Sequence, residues 1–241
     1  MNMIQMLGIV SAVYFVTLLL ICVYRNKINV KICNIAFIVA DSIGMFLWTY
    51  ACYLRGWLDD GWLTLDNISP LMFTVIPLTL IMKDSVKKYA YAAIAFLSFG
   101  MFVALYVSPE HAYLFNFNQE AGPWYTCEAI CHMICSLFGI YLVLTHQVKA
   151  NFENWIKSIV FMLSIISVSV VLNFIFHRSY FGMDPYGHYS IYMIDIFGSF
   201  EATAVAYYLG VILVLTIGMQ LSHLLERWTK YYDEHYTEDP Q

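Results

Sequence analysis

Glu128 and His132 stand four residues apart, a spacing that stacks two side chains on one face of a helix. A carboxylate beside an imidazole raises its basicity and fixes its tautomer, as a general base requires. Cys131 and Cys135 border that face. The structural alternative is a polar pair that bonds neighbouring helices together. Upstream, Asp66-Asn67-Ile68-Ser69-Pro70 also reads in two ways. Asp66 or Asn67 can cap a helix start, with Pro70 in its first turn. In the chemical reading Ser69 is a nucleophile and Asp66 a ligand or proton acceptor. Asp41, followed by Ser42 and Gly44, is either a proton or cation site or a hydrogen-bonded pair. Asn173, His177, Asp195 and Glu201 are further polar residues within or at the edge of apolar stretches. Glu128, His132, Asp66 and Asp195 could together hold a metal, but no ligand spacing demands one. No metal and no cofactor are expected.

The elements that must carry these residues are membrane helices. Of 241 residues, 61% are hydrophobic and only 12% charged, where soluble domains hold about 25% charged residues. A globule of this size has too little polar surface to cover so much apolar area, and a bilayer removes the need. The net charge of −5 is modest and says nothing about nucleic acid, but no basic stripe exists on which phosphates could sit, so no nucleic acid is expected as a partner. Six cysteines (Cys22, Cys33, Cys52, Cys127, Cys131, Cys135) fall in apolar stretches without CxxC pairs and read mostly as packing residues.

A helix needs about 20 apolar residues to cross the hydrocarbon core. Seven stretches qualify, at 4–24, 32–54, 63–82, 89–107, 125–145, 155–176 and 202–225. Trp57, Trp62, Trp124, Trp155 and Trp228 mark their ends, as interfacial aromatics do. The first stretch has no basic start and no small-residue cleavage site, so it reads as a helix rather than a leader. Ten basic residues follow spans one, three, five and seven, against Arg55 and Arg178 on the other side. That asymmetry places the N-terminus outside and the C-terminus in the cytoplasm. The expected fold is all-α: a polytopic protein of the cell membrane with seven transmembrane helices over 1–228 and a polar cytoplasmic tail over 229–241. Ser190 to Phe200 is apolar but short, interrupted by Asp195 and Gly198, and reads as a re-entrant or interfacial segment. With this topology Asp66, Asn67, Ser69, Glu128, His132, Asn173, His177, Asp195 and Glu201 all gather at the outer side. Only Asp41 lies near mid-membrane, and Pro77 is expected to kink span three.

Three short motifs carry a family resemblance. Phe115-Asn116-Phe117 precedes the span with His132, Asn173 is followed by Tyr180, and Ser190-Ile191-Tyr192-Met193-Ile194-Asp195-Ile196-Phe197-Gly198 follows. Over about Leu65 to Leu221 the chain resembles the YwaF-like integral membrane proteins, relatives of an animal transmembrane acyltransferase of ether phospholipids. The resemblance implies seven helices and acyl transfer by a cysteine with a histidine partner, His132 standing at the histidine. With Pro77 setting the register, Ser69 stands at the cysteine. A hydroxyl is far less acidic than a thiol and needs an efficient base. Ser199-Phe200-Glu201 stands where the family has prolines and tryptophans after the glycine.

The expected function is therefore that of a membrane lipid acyltransferase or acyl hydrolase. Ser69 attacks an ester, His132 takes its proton, Glu128 orients the imidazole, and Asn67 or Asn173 donates to the oxyanion. Asp66, Asn67, Asn173, Tyr180, Asp195 and Cys131 line the expected pocket, and membrane lipids are the partners. Two alternatives stand beside it. One is a proton- or cation-coupled transporter using Asp41, Asp66 and Glu128. The other is a non-catalytic member of a complex with other membrane subunits.

Overall fold

A computed structural model describes residues 1–56, 65, 67–107, 120–178, 180–183 and 198–236. Seven α-helices run through the described residues: α1 Met3–Tyr24, α2 Val30–Leu54, α3 Ile68–Leu78, α4 Asp84–Val107, α5 Pro123–Leu144, α6 Phe152–Phe176 and α7 Phe200–Tyr236. Four of them start at an asparagine whose side chain accepts from a backbone amide of the first turn: Asn2, Asn29, Asn67 and Asn151. In a hydrocarbon setting an uncapped amide is costly, and a short amide side chain satisfies it locally. α5 starts instead with Pro123 behind Gly122, where the missing N–H would have been unpartnered anyway.

Six of these helices are long and apolar enough to cross a membrane, and α3 is the exception with 11 residues. The chain is an all-α, polytopic membrane protein. Tyr91 packs edge-on against Phe138, while Tyr106 meets Ala129 and the Met3–Val10 cluster, so α4 and α5 are antiparallel. Arg55 lies over Trp124 and Tyr125 at the start of α5, whereas Asp84 lies at the opposite end of α4. The chain therefore still passes from one side to the other between Arg55 and Asp84, through α3 and the turn after it.

α3 is shorter than the apolar stretch at 63–82. Pro77 lacks the N–H that would bond back to residue 73, and after Thr79 the chain turns with three-residue hydrogen bonds over Leu80 and Ile81. Six of its residues, Pro70 to Phe73 with Val75 and Ile76, are buried. α7 departs from expectation in the other direction. The stretch from Thr229, read as a solvated tail, continues the helix to Tyr236. Thr229 is buried, Lys230 pairs with Glu234 one turn on, and Asp233 ion-pairs with the buried Arg25 that follows α1. Those contacts hold a polar helix that composition alone would leave in solution.

α5 is the hub, with 83% of its apolar window buried against 17–28% for α1, α2, α6 and α7. α1, α2, α3, α4 and α7 all pack on it, α1 also touches α4 through Tyr14 and Phe102, and α6 packs chiefly on α4 and α7. Two glycines permit the closest crossings. A Cβ on Gly139 would lie 2.5 Å from Ile94 O and Ser98 Cβ of α4, and one on Gly218 would lie 1.7 Å from Phe96 O.

Candidate active site

Ser69 is the second residue of α3. Asn67 caps this helix, its Oδ1 accepting from the Ser69 amide at 2.9 Å, which fixes the start of α3 and aims the hydroxyl at α5. There it meets His132, which is 2% exposed, with Oγ and Nε2 2.9 Å apart. The other ring nitrogen, Nδ1, lies 2.9 Å from the carbonyl oxygen of Glu128. A carbonyl can only accept, so in the neutral ring Nδ1 carries the proton and Nε2 presents its lone pair to the serine O–H. The arrangement has the geometry of a nucleophile with its general base.

Packing holds the imidazole in place. Phe73, one turn along α3 from Ser69, meets the His132 ring edge-to-face at 5.2 Å, and Trp48 of α2 backs Phe73 in the same manner at 5.8 Å. A half-buried Ser69 and a buried His132 leave the hydroxyl at the rim of this packing and the base beneath it.

Nδ1 is engaged by the Glu128 main-chain carbonyl, the i−4 acceptor on its own helix, where the carboxylate is the expected partner. Glu128 itself is buried one turn above His132. Cys131 turns away from the pair: a Cβ on Gly44 of α2 would lie 3.1 Å from its Sγ, so the glycine makes room for the thiol. Cys135 continues that interface, its thiol donating to Asp41 Oδ1 at 3.7 Å. Asp41 is wholly buried, and its Oδ2 has no hydrogen-bond partner among the described residues.

Asn173 is not part of this site. Its Nδ2 donates to Tyr180 O at 3.0 Å and Met183 O at 2.6 Å, and its Oδ1 accepts from Tyr180 N at 2.8 Å. Every hydrogen-bonding group of the amide is thereby engaged in clasping the turn after α6, and nothing is left for an oxyanion. Tyr180 belongs to the same clasp through its backbone, so the asparagine–tyrosine pairing is a structural one. His177 ends α6 in a left-handed conformation and is exposed, as is Glu201 in the first turn of α7. Asp66, Asp195, the Phe115-Asn116-Phe117 motif and nearly all of the segment 190–198 lie outside the described residues.

Comparison with family models, curated proteins and solved structures returns no match for this chain. The site therefore rests on its own geometry. Three contacts escape a reading of the sequence: the aromatic support of His132 by Phe73 and Trp48, the Tyr14–Ser136 hydroxyl pair at 3.0 Å, and the placement of Arg55 over Trp124 and Tyr125. The last had a signal. Tyr125, Glu128 and His132 follow i, i+3, i+7 spacing and so form one stripe of α5.

Proposed function

We propose that the protein is a serine-dependent acyl hydrolase or acyltransferase acting on membrane lipid esters, in the manner implied by its resemblance to the YwaF-like proteins. The observation that supports this reading is the 2.9 Å contact of Ser69 Oγ with an imidazole whose other nitrogen is committed to a carbonyl. Ser69 Oγ bonds to the ester carbonyl carbon as its proton passes to Nε2. The oxyanion takes a hydrogen bond from the Asn67 side-chain amide. The imidazolium returns the proton to the leaving alkoxide oxygen as the ester C–O bond breaks. Water, or the hydroxyl of a second lipid, then attacks the acyl-serine by the reverse of these steps and frees the acid or forms the new ester.

The basic residues that flank α1, α3, α5 and α7 support a cell-membrane orientation with the dyad towards the outer leaflet, where lipid ester groups sit. Fluorophosphonate labelling of the purified protein tests the chemistry. Labelling is expected on Ser69, lost in Ser69→Ala and lowered about 100-fold or more in His132→Ala, the scale of a lost general base. Equal labelling of wild type and Ser69→Ala would sink the reading.

A second reading, proton- or cation-coupled transport, is supported by Asp41, an ionisable side chain wholly buried between α2 and α5. Uptake into proteoliposomes under a pH gradient, abolished in Asp41→Asn, is the outcome it requires.

A further inference from the structure

Asp41 stands near the middle of α2 and faces α5. The two helices are antiparallel, and their contacts fall in step: Phe37 with Phe138 and Tyr141, Asp41 with Cys135, Gly44 with Cys131, and Cys52 with Trp124. Asp41 is thereby closed off in both directions along this interface. Towards the start of α2, the Phe37 ring lies 5.3 Å from that of Phe138 and 5.2 Å from that of Tyr141. Towards its end, the close approach of Gly44 to Cys131 is followed by Trp48 packed against Phe73. The carboxyl is wholly buried, yet it meets one weak donor, the Cys135 thiol at 3.7 Å from Oδ1. Oδ2 has no hydrogen-bond partner among the described residues.

The surroundings decide what this carboxyl can hold. A carboxylate anion buried in an apolar interior needs a compensating charge. α2 packs chiefly on α5 and α3, and α3 has no ionisable side chain. Lys31, at the start of α2, is about 15 Å away along the helix axis. His132, the one residue of α5 able to carry positive charge, engages Ser69 and the Glu128 carbonyl through its two ring nitrogens. The ionisable neighbours that remain, Cys131 and Cys135, are acids themselves. A metal cation fares no better, because it needs several oxygen ligands. Around Asp41 stand the two thiols, Gly44 and Ile134, and the Ser42 hydroxyl is spent on Ile38 O at 2.7 Å. A proton removes the charge without a ligand shell. Placed on Oδ2, it leaves Oδ1 as the carbonyl that the Cys135 thiol meets.

We propose that Asp41 is an occluded proton site between α2 and α5, its carboxyl carrying the proton on Oδ2 and receiving the Cys135 thiol on Oδ1. This narrows the transport reading to a proton as the coupling ion. It rests on that reading for the route the proton takes, but occupancy of the site does not require transport. The full chain in lipid vesicles at neutral pH is expected to show the infrared C=O stretch of a protonated carboxylic acid, and Asp41→Asn to lose it. Cys135→Ala removes the thiol donor and leaves the carboxyl in place, so the band is expected to persist and move to higher frequency. That variant decides the assignment even where Asp41→Asn does not fold. Exchange of choline chloride for sodium or potassium chloride is expected to leave the band and the melting temperature unchanged. A spectrum without the band, a band indifferent to both substitutions, or one that sodium or potassium abolishes would overturn the proton site. A band that behaves as expected in a protein without pH-driven uptake would uphold this site and remove the transport reading instead.

Discussion

The tautomer of His132 is set by a main-chain oxygen, and that oxygen survives any substitution of the Glu128 side chain. Glu128→Gln is accordingly expected to keep fluorophosphonate labelling of Ser69 within a few-fold of wild type. A loss as large as that of His132→Ala would show that the carboxylate orients the ring. Asn173→Ala has the opposite profile. It removes three hydrogen bonds at about 1 kcal/mol each, so roughly 3 kcal/mol of stability. The melting temperature is expected to fall by several degrees while Ser69 still labels, because the Tyr180–Met183 turn lies apart from the dyad. Loss of labelling in a folded Asn173→Ala protein would reinstate Asn173 as part of the site. These two residues also mark the limits of reading function from sequence. Ser69 could be set opposite His132 in advance only through the family resemblance, with topology adding that both lie at one depth; the residues alone left Ser69 as the start of a helix. The employment of Asn173 could not be read in advance, because an amide serves a turn and an oxyanion equally well, and only the neighbouring backbone decides between them.

Between elements, the limiting contacts are backbone against backbone. Gly139 and Gly218 let α5 and α7 approach α4 closely enough that any Cβ would meet a carbonyl oxygen. Neither neighbour is a flexible side-chain end that could rotate away, so each helix would have to shift. Gly139→Ala and Gly218→Ala are each expected to cost about 1–3 kcal/mol or more, the scale of an overpacked core. Size-exclusion profiles and thermal melts in detergent check this, with Gly210→Ala as the control, since nothing lies within 4 Å of its added Cβ. A Gly218→Ala protein as stable as Gly210→Ala would contradict the crossing. The long spans were legible because about 20 apolar residues leave a chain few other choices. α3 was legible only in part: Pro77 signals a kink, but nothing local shows that the helix stops at Leu78 instead of running on through the apolar stretch. The helical extension to Tyr236 was hidden for a related reason: Arg25 and Asp233 lie 208 positions apart, and no local pattern connects them.

Across the molecule, two sets of contacts divide the connections between its faces. Met1 O accepts from Ala121 N, and Asn2 bridges to Glu120, which puts the N-terminus beside the start of α5. At the other face Arg25 reaches Asp233, Asn34 and Gln147 exchange hydrogen bonds, and Ala150 N donates to Glu226. The described contacts thus group connections that share a side, and the distribution of basic residues gives an expected direction to test. Lys27, Lys31, Lys83, Lys149, Arg227 and Lys230 all belong to the face opposite Met1. In the orientation expected from the positive-inside rule the anionic cytoplasmic leaflet would hold these cations, and reversing the protein would carry the whole set across the membrane together. Single-cysteine variants at Asn2 and at Lys230, in a background with the native cysteines replaced by serine or alanine, test the direction with a membrane-impermeant maleimide. In intact cells Asn2→Cys is expected to label and Lys230→Cys to label only after permeabilisation. The reverse pattern would move the dyad to the inner leaflet, leaving its geometry intact but changing which pool of lipid can reach Ser69.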